Sequence, residues 1–185
     1  MSEAFLPLKE WTIADLFDLP DDGHRYEIVD GQLMMVPPPS GGHQYAAGNL
    51  RAILQEQLSP AFVVLEGTGV DIHPTYRIPD VIVIDADSFN PDAVAFDPRH
   101  VRLDVEIVSP GSVTNDRITK PVAYARAGIE SYWRIEDPTT LIAHALEGSS
   151  YREVGSWTVG ETAHVNVPVP ITARIDDLVP PRPGR

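Results

Sequence analysis

Cysteine is absent from this chain of 185 residues. The absence excludes disulfide bonds, thiolate zinc sites and cysteine nucleophiles, so that any metal must be held by oxygen or imidazole groups. Long apolar runs are absent as well, and aliphatic stretches such as Val81 to Ile84 are far too short to span a bilayer. The amino terminus shows no basic region followed by an apolar stretch. We therefore expect a cytoplasmic protein with no membrane partner.

Basic residues are scarce. The 27 acidic residues outnumber the 14 basic ones, and the formal net charge is −13. Such a charge argues against broad electrostatic capture of nucleic acid, so any contact with DNA is expected to be local. Only Lys9 and Lys120 are lysines. Wherever chemistry needs a titratable ammonium group, the candidates are therefore few.

The length and the pattern of the chain predict one α/β domain over residues 1–178, followed by a flexible tail over residues 179–185. The dipeptide Asp30-Gly31 between two apolar segments predicts a β-hairpin of Arg25 to Val29 and Gln32 to Val36. Helical spacing and capping signals predict helices over residues 12–19, 43–58 and 120–127. Strands are predicted over residues 62–65, 69–73, 80–85, 102–109, 133–136, 141–146 and 151–154.

Two carboxylates stand out within apolar strands. Strand residues alternate between faces, so Asp104, Glu106 and Val108 share one face of the strand over residues 102–109. Burying a carboxylate there costs several kcal/mol unless a cation or hydrogen-bond donors compensate, so Glu106 needs a partner. Asp80 opens the other apolar strand. Two carboxylates on adjacent strands are suited to binding one hard cation.

Each of these residues also has an ordinary structural explanation. An aspartate after proline, such as Asp80, is commonly a turn or strand-start residue. Asp104 would fit the rim of a sheet, and Lys120 would fit a solvated helix. Glu27 in a hairpin strand commonly pairs with a cross-strand neighbour or with water. None of these residues indicates a function on its own.

Taken together, the motifs resemble the Uma-two family of restriction-endonuclease-like proteins within the PD-(D/E)XK nuclease superfamily. The resemblance extends from about Trp11 to Leu178. The matching blocks, in chain order, are Arg25-Tyr26-Glu27-Ile28-Val29-Asp30-Gly31, Pro37-Pro38-Pro39-Ser40 with His43-Gln44, Ile78-Pro79-Asp80-Val81, Val105-Glu106-Ile107-Val108-Ser109-Pro110, Asp116 with Lys120 and Tyr124, and Ala127-Gly128-Ile129-Glu130-Ser131-Tyr132-Trp133.

The resemblance implies a restriction-endonuclease-like α/β core, in which a mixed central β-sheet is flanked by helices and preceded by an N-terminal β-hairpin. In the superfamily, an aspartate, an acidic residue on the next strand and a lysine two residues further act together. Asp80 and Glu106 match the first two positions, but Val108 occupies the lysine position. The Uma-two pattern places the lysine on the following helix, where this sequence has Lys120.

The resemblance also implies a metal ion, Mg²⁺ or alternatively Mn²⁺. Asp80, Glu106 and the backbone carbonyl of Ile107 are the expected ligands, since Mg²⁺ prefers oxygen donors and retains several waters. Lys120 is expected to orient the attacking water or to stabilise charge on phosphorus. Glu27 is expected to add a ligand or an acceptor to the catalytic group.

The predicted activity is metal-dependent hydrolysis of DNA phosphodiester bonds. His43, at the start of a helix, is expected to contact the DNA phosphate. A homodimer is expected, because cleavage of a duplex requires two cuts and each domain supplies one site. Two alternatives stay open, namely a nuclease-fold module that binds or regulates with little or no catalysis, and a metal hydrolase of small phosphoesters.

Overall fold

The computed structural model describes residues 9–20, 23–136 and 138–181. In this part of the chain the helices are α1 (Ile13–Leu16), α2 (Gly41–Gln57) and α3 (Lys120–Arg126). The strands are β1 (Arg25–Val29), β2 (Gln32–Val36), β3 (Phe62–Glu66), β4 (Gly69–Ile72), β5 (Thr75–Arg77), β6 (Val81–Asp85), β7 (Ala95–Phe96), β8 (Val101–Val108), β9 (Ser131–Glu136), β10 (Thr140–Glu147), β11 (Ser150–Thr158), β12 (Thr162–Val165) and β13 (Ile171–Arg174).

The N-terminal hairpin forms at the predicted residues. Asp30 and Gly31 have φ angles of 48° and 75°, the left-handed conformation that a tight hairpin turn requires. The resulting register pairs Glu27 of β1 with Met34 of β2. On its other side β1 pairs with β5, in a sheet of order β2-β1-β5-β4-β7. This arrangement buries Glu27, which is 4% exposed, and the cross-strand pairing of its ordinary explanation is present, with Arg77 of β5 as the partner.

A six-stranded sheet of order β11-β10-β9-β8-β6-β3 forms the centre of the fold. Strands β8 and β9 are parallel, whereas the other neighbouring pairs in this sheet are antiparallel. The expected adjacency of the two acidic strands is confirmed, since Val81 of β6 pairs with Val105 of β8. Asp80 directly precedes Val81, and Glu106 directly follows Val105.

Helices cover both faces of the central sheet. Alternate residues of β6 point to opposite sides, as strand geometry requires. Val81 and Val83 pack in one apolar cluster with Leu50 and Leu54 of α2, among others. Ile82 and Ile84 belong to a second cluster that contains Tyr124 of α3. The predicted mixed sheet flanked by helices is therefore present.

Several short elements differ from the sequence-based predictions. Helix α1 ends at Leu16 rather than at residue 19, although its predicted Thr12 cap is present as a capping box with Asp15. The sequence does not predict strands β5, β7, β12 and β13, because two to four residues are too few for periodicity to identify a strand.

The predicted domain and tail boundaries stay predictions. Residues 182–185 of the predicted tail lie outside the described residues, as do Asp21 and Asp22. Within the described part, Val179 donates a backbone hydrogen bond to Asp176.

Candidate active site

Asp80 precedes β6 and is fixed by β8. Its backbone N–H donates to the carbonyl of Val105 at 3.1 Å. Its side-chain Oδ2 accepts a hydrogen bond from the N–H of Ile107 at 2.7 Å. His43, in the first turn of α2, places Nε2 3.0 Å from the same oxygen. The Asp80 carboxylate is therefore more than a strand-start residue, because it joins β6, β8 and α2.

Glu106 has the partners that its position within an apolar strand demanded. Its side chain is 2% exposed, at the middle of the α3 face of β8. Lys120 Nζ lies 2.7 Å from Oε2, and the Tyr124 hydroxyl donates to Oε1 at 2.8 Å. Both partners come from α3. The hydrogen-bonding and charge requirements of a buried carboxylate explain why this helix packs here.

Lys120 lies among carboxylates and is 8% exposed, which excludes the solvated helix residue of the ordinary explanation. Besides Glu106, its Nζ lies 3.7 Å from Glu27 Oε1 and 3.5 Å from Asp116 Oδ1. A five-residue π-helical segment, Asn115–Thr119, leads directly into α3. Such widened turns occur frequently at functional sites. Pro121 fits this geometry because it falls in the first turn of α3.

Glu27 is also held by two donors from β5 and the residue after it. Arg77 of β5 places NH1 2.9 Å from Glu27 Oε2, and the N–H of Ile78 donates to Oε1 at 3.0 Å. The Arg77 side chain is 1% exposed, so this ion pair is fully removed from water. Glu27 Oε1 thereby connects the hairpin sheet to the Lys120 ammonium group.

Negative charge exceeds positive charge in this buried region. Neither carboxylate oxygen of Asp104 has a hydrogen-bond partner among the described residues, and the same holds for Asp116 Oδ1. Asp104 is completely buried, which excludes the ordinary explanation of a residue at the rim of the sheet. The carboxylates are Glu27, Asp80, Asp104, Glu106 and Asp116, whereas the permanently cationic groups in contact with them are Lys120 and Arg77.

The excess of negative charge contributes to shifts in the pKa values of the buried groups. Burial raises the pKa of the Glu106 carboxyl well above its usual value, the Lys120 ammonium opposes the shift, and the Asp80 and Asp116 charges add to it. Burial likewise raises the pKa of Asp104 and of Asp116. Burial disfavours the charged form of Lys120, but its three carboxylate neighbours outweigh this effect and raise its pKa.

The Asp80 carboxylate raises the pKa of the His43 imidazole. Burial lowers the pKa of the His43 imidazole, but the hydrogen bond to Asp80 and the charge of that carboxylate outweigh burial, so the net shift is upward. His43 Nδ1 has no hydrogen-bond partner among the described residues. The imidazole therefore has one nitrogen on Asp80 and one buried nitrogen that no described residue contacts by a hydrogen bond.

The donor set fits a hard divalent cation in its chemistry. Carboxylate oxygens are the ligands that Mg²⁺ and Mn²⁺ prefer, and an excess of buried negative charge calls for a cation. Within residues 9–20, 23–136 and 138–181, however, no three His, Cys, Asp or Glu side chains are arranged to hold a metal ion. Both oxygens of Glu106 already accept hydrogen bonds from Lys120 and Tyr124. Lys120 thus competes with a cation for Glu106.

The surroundings of Asp80 are the accessible part of the site. The side chains of Asp80 and His43 are 22% and 15% exposed. Glu27, Glu106 and Asp116 are 5% exposed or less. Among the described residues, a ligand can therefore reach the carboxylates from the Asp80 and His43 side.

Comparison with known proteins identifies the family of this chain. Residues 13–174 match the model of the Uma2 family, which is described as "Putative restriction endonuclease". The chain belongs to the Uma2 family. A crystal structure from Anabaena variabilis, described as a "putative nuclease belonging to DUF820", has the same fold with a TM-score of 0.67. Its sequence is 17% identical, and the match covers 91% of this chain and 97% of that chain. No curated protein matches the chain.

Membership of the Uma2 family confirms the resemblance and the restriction-endonuclease-like fold predicted from sequence. The described part of this Uma2 chain contains no helix that is long and apolar enough to cross a membrane. The roles predicted for Asp80, Glu106, Lys120, Glu27, the Ile107 carbonyl and His43 remain predictions, although the structure brings all of these residues to one region.

Sequence reasoning assigned no role in the site to three buried residues, Arg77, Asp116 and Tyr124. Asp116 and Tyr124 were available as positions four residues on either side of Lys120, where a helix brings side chains to one face. Arg77 gave no comparable signal, because its contact with Glu27 spans 50 residues of the chain.

Proposed function

We propose that this Uma2 protein is a metal-dependent endonuclease that hydrolyses DNA phosphodiester bonds. The observation that carries the proposal is the buried contact of 2.7 Å between Lys120 and Glu106, with Asp80 on the neighbouring strand at the accessible edge. The description of the family as restriction endonucleases supports DNA as the substrate. An isolated structural ion pair would not need the further uncompensated carboxylates that surround this one.

Asp80, Glu106 and the backbone carbonyl of Ile107 would hold the ion, Mg²⁺ or Mn²⁺. When bound, such an ion would neutralise charge on the phosphate and lower the pKa of a bound water. The N–H of Ile107 keeps the Asp80 carboxylate oriented towards the end of β8. Tyr124 holds Glu106 from the side opposite the ammonium group of Lys120. The protein therefore fixes its two acidic groups before any ligand arrives.

Lys120 is the group suited to act on the reacting phosphate. Its ammonium stays charged at neutral pH, because the three surrounding carboxylates raise its pKa. A charged donor in a buried site stabilises negative charge that develops on phosphate oxygens. His43 holds Asp80 through Nε2 at the accessible edge of the site, where we assign it a contact with the phosphate.

The direct test is cleavage of fluorescently labelled DNA by purified protein. Cleavage should require Mg²⁺ or Mn²⁺, stop in excess chelator, and be lost in Glu106→Gln, which preserves side-chain size but removes the charge. Asp18→Asn, a substitution at a surface position outside the site, is the matched control and should cleave like the parent. Full activity in chelator, or equal activity in Glu106→Gln, would contradict the proposal.

A second candidate is a nuclease-fold module that binds or regulates without catalysis. The observation in its favour is that both oxygens of Glu106 are engaged by residues of the protein itself. This candidate predicts that Mg²⁺ neither binds the Asp80 region nor changes the stability of the protein. Thermal unfolding in the presence and absence of Mg²⁺ separates the two candidates without a substrate.

A further inference from the structure

A small cleft lies next to the accessible edge of the site. Its volume is about 280 Å³, and it lies between the first turn of α2, the end of β8, the turn after β9 and the segment around Pro180. His43 lines this cleft and also contacts Asp80 at 3.0 Å. Because the remaining carboxylates are buried, a phosphate at Asp80 would have its attached sugar and base in or beside this cleft.

The walls of the cleft are suited to an uncharged, flat group. Val108, Pro110, Pro138 and Pro180 supply apolar surface. None of the described lining residues is arginine or lysine. Neighbouring hydroxyls are engaged within the protein, since Ser109 and Ser112 hydrogen-bond to each other and Thr139 donates to the carbonyl of Glu136. The lining therefore favours a nucleobase over a phosphate.

The size of the cleft limits what enters it. Pockets for drug-sized ligands span roughly 300–1,000 Å³, so a cleft of about 280 Å³ accommodates one nucleoside and not a longer segment. Proteins that grip duplex DNA use several arginine and lysine contacts along the phosphate backbone. This chain has a net charge of −13 and no such contacts at the cleft. A nucleoside leaves the base stack at low cost only when it is already unpaired.

We infer that the cleft binds one nucleoside of single-stranded DNA and thereby places the adjacent phosphate at Asp80 and His43. The inference rests on the proposed nuclease function and names its substrate class. Val108 has a specific part in it. This residue occupies the superfamily lysine position, and as valine it forms an apolar wall of the cleft where a lysine would project a charge. Single-stranded substrate needs only one cut, so it does not require a homodimer.

The first test compares one labelled 20-nucleotide strand with its blunt duplex, using Mg²⁺ and the intact protein. We expect kcat/KM to be at least about 10-fold higher on the single strand, because extruding a base from a duplex adds an energetic cost. Equal or faster cleavage of the duplex would overturn the inference while leaving the proposed function intact. Absence of cleavage on both substrates, with tight binding of the single strand by fluorescence anisotropy, would overturn the proposed function but support the cleft.

The second test fills the cleft. Val108→Phe should raise KM for the single strand about 10-fold with little change in kcat, because the bulkier side chain excludes the base. Val179→Phe fills the same cleft from the other side and guards against misfolding of the first variant. Val94→Phe, the same exchange at a residue that is 45% exposed outside the cleft, is the control and should leave KM unchanged. Unchanged KM and unchanged anisotropy in both folded cleft variants would overturn the inference.

Discussion

Replacing Lys120 by methionine removes the ammonium group but keeps most of the side-chain volume. In the parent, Nζ lies within 4 Å of Glu106, Glu27 and Asp116, and these carboxylates are 5% exposed or less. Removing one partner of such a buried ion pair costs about 3–5 kcal/mol, because the remaining charge is left without compensation. The free energy of unfolding of a typical domain is only about 5–15 kcal/mol, so the loss should be large.

Urea unfolding at pH 7 and thermal unfolding measure this loss. For a chain of this size each kcal/mol corresponds to roughly 2–4 °C, so Lys120→Met should lower Tm by roughly 6–20 °C. Adding Glu106→Gln to Lys120→Met should recover much of the loss, since it removes the carboxylate that the substitution stranded.

The control is Lys9→Met. Lys9 pairs with Asp15 at 2.9 Å, but its side chain is 56% exposed, so its removal should leave the free energy of unfolding nearly unchanged. A loss in Lys120→Met as small as that of Lys9→Met would refute the argument that Lys120 holds the buried carboxylates together. A double variant no more stable than Lys120→Met would refute Glu106 as its main partner.

Three further predictions concern catalysis and pH. Lys120→Ala should lower the cleavage rate on the order of 100- to 1000-fold. Lys120→Arg should restore little of this loss, because a planar guanidinium cannot take the ammonium position. Equal rates for the parent and Lys120→Ala would refute the catalytic role of Lys120. Tyr124→Phe removes a donor to Glu106 and should weaken Mn²⁺ binding about 10- to 100-fold by calorimetry, whereas unchanged affinity would refute its positioning role. Burial and Arg134 lower the pKa of His144, so His144 binds fewer protons in the folded protein than in the unfolded chain. Stability should therefore fall as pH drops below about 6.5. In His144→Phe, Tm should depend less on pH over this range than it does in the parent. If Tm depended on pH equally in His144→Phe and in the parent, the prediction about His144 would be contradicted.

The hairpin and the acidic strands were predictable from local signals. Asp30-Gly31 specifies a turn whose dihedral angles only a few residues tolerate, so the register of β1 and β2 follows from it. Glu106 was identifiable because a carboxylate within an apolar strand needs a partner, and the structure supplies two. These features depend on short stretches of chain, where dihedral preference and face alternation are decisive.

The remaining contacts of the site depend on how distant elements pack. Lys120 was assigned from the family resemblance, since nothing in its local sequence distinguishes a buried lysine from a solvated one. Arg77 belongs to a strand of three residues, which is too short for periodicity to indicate, and its partner Glu27 lies 50 residues away. A place at the rim stayed open for Asp104, because the sequence does not show that β8 is covered on both faces.

The most direct test of the central claim is the location of a bound divalent ion. Crystals of the protein grown with Mn²⁺ should show an anomalous peak in contact with the carboxylates of both Asp80 and Glu106, with Lys120 displaced from the Glu106 oxygen that it contacts at 2.7 Å. The same experiment on Asp80→Asn crystals should show a weaker peak or none. No peak in the parent, or a peak away from both carboxylates with Lys120 still on Glu106, would contradict a metal-dependent nuclease centred on these residues.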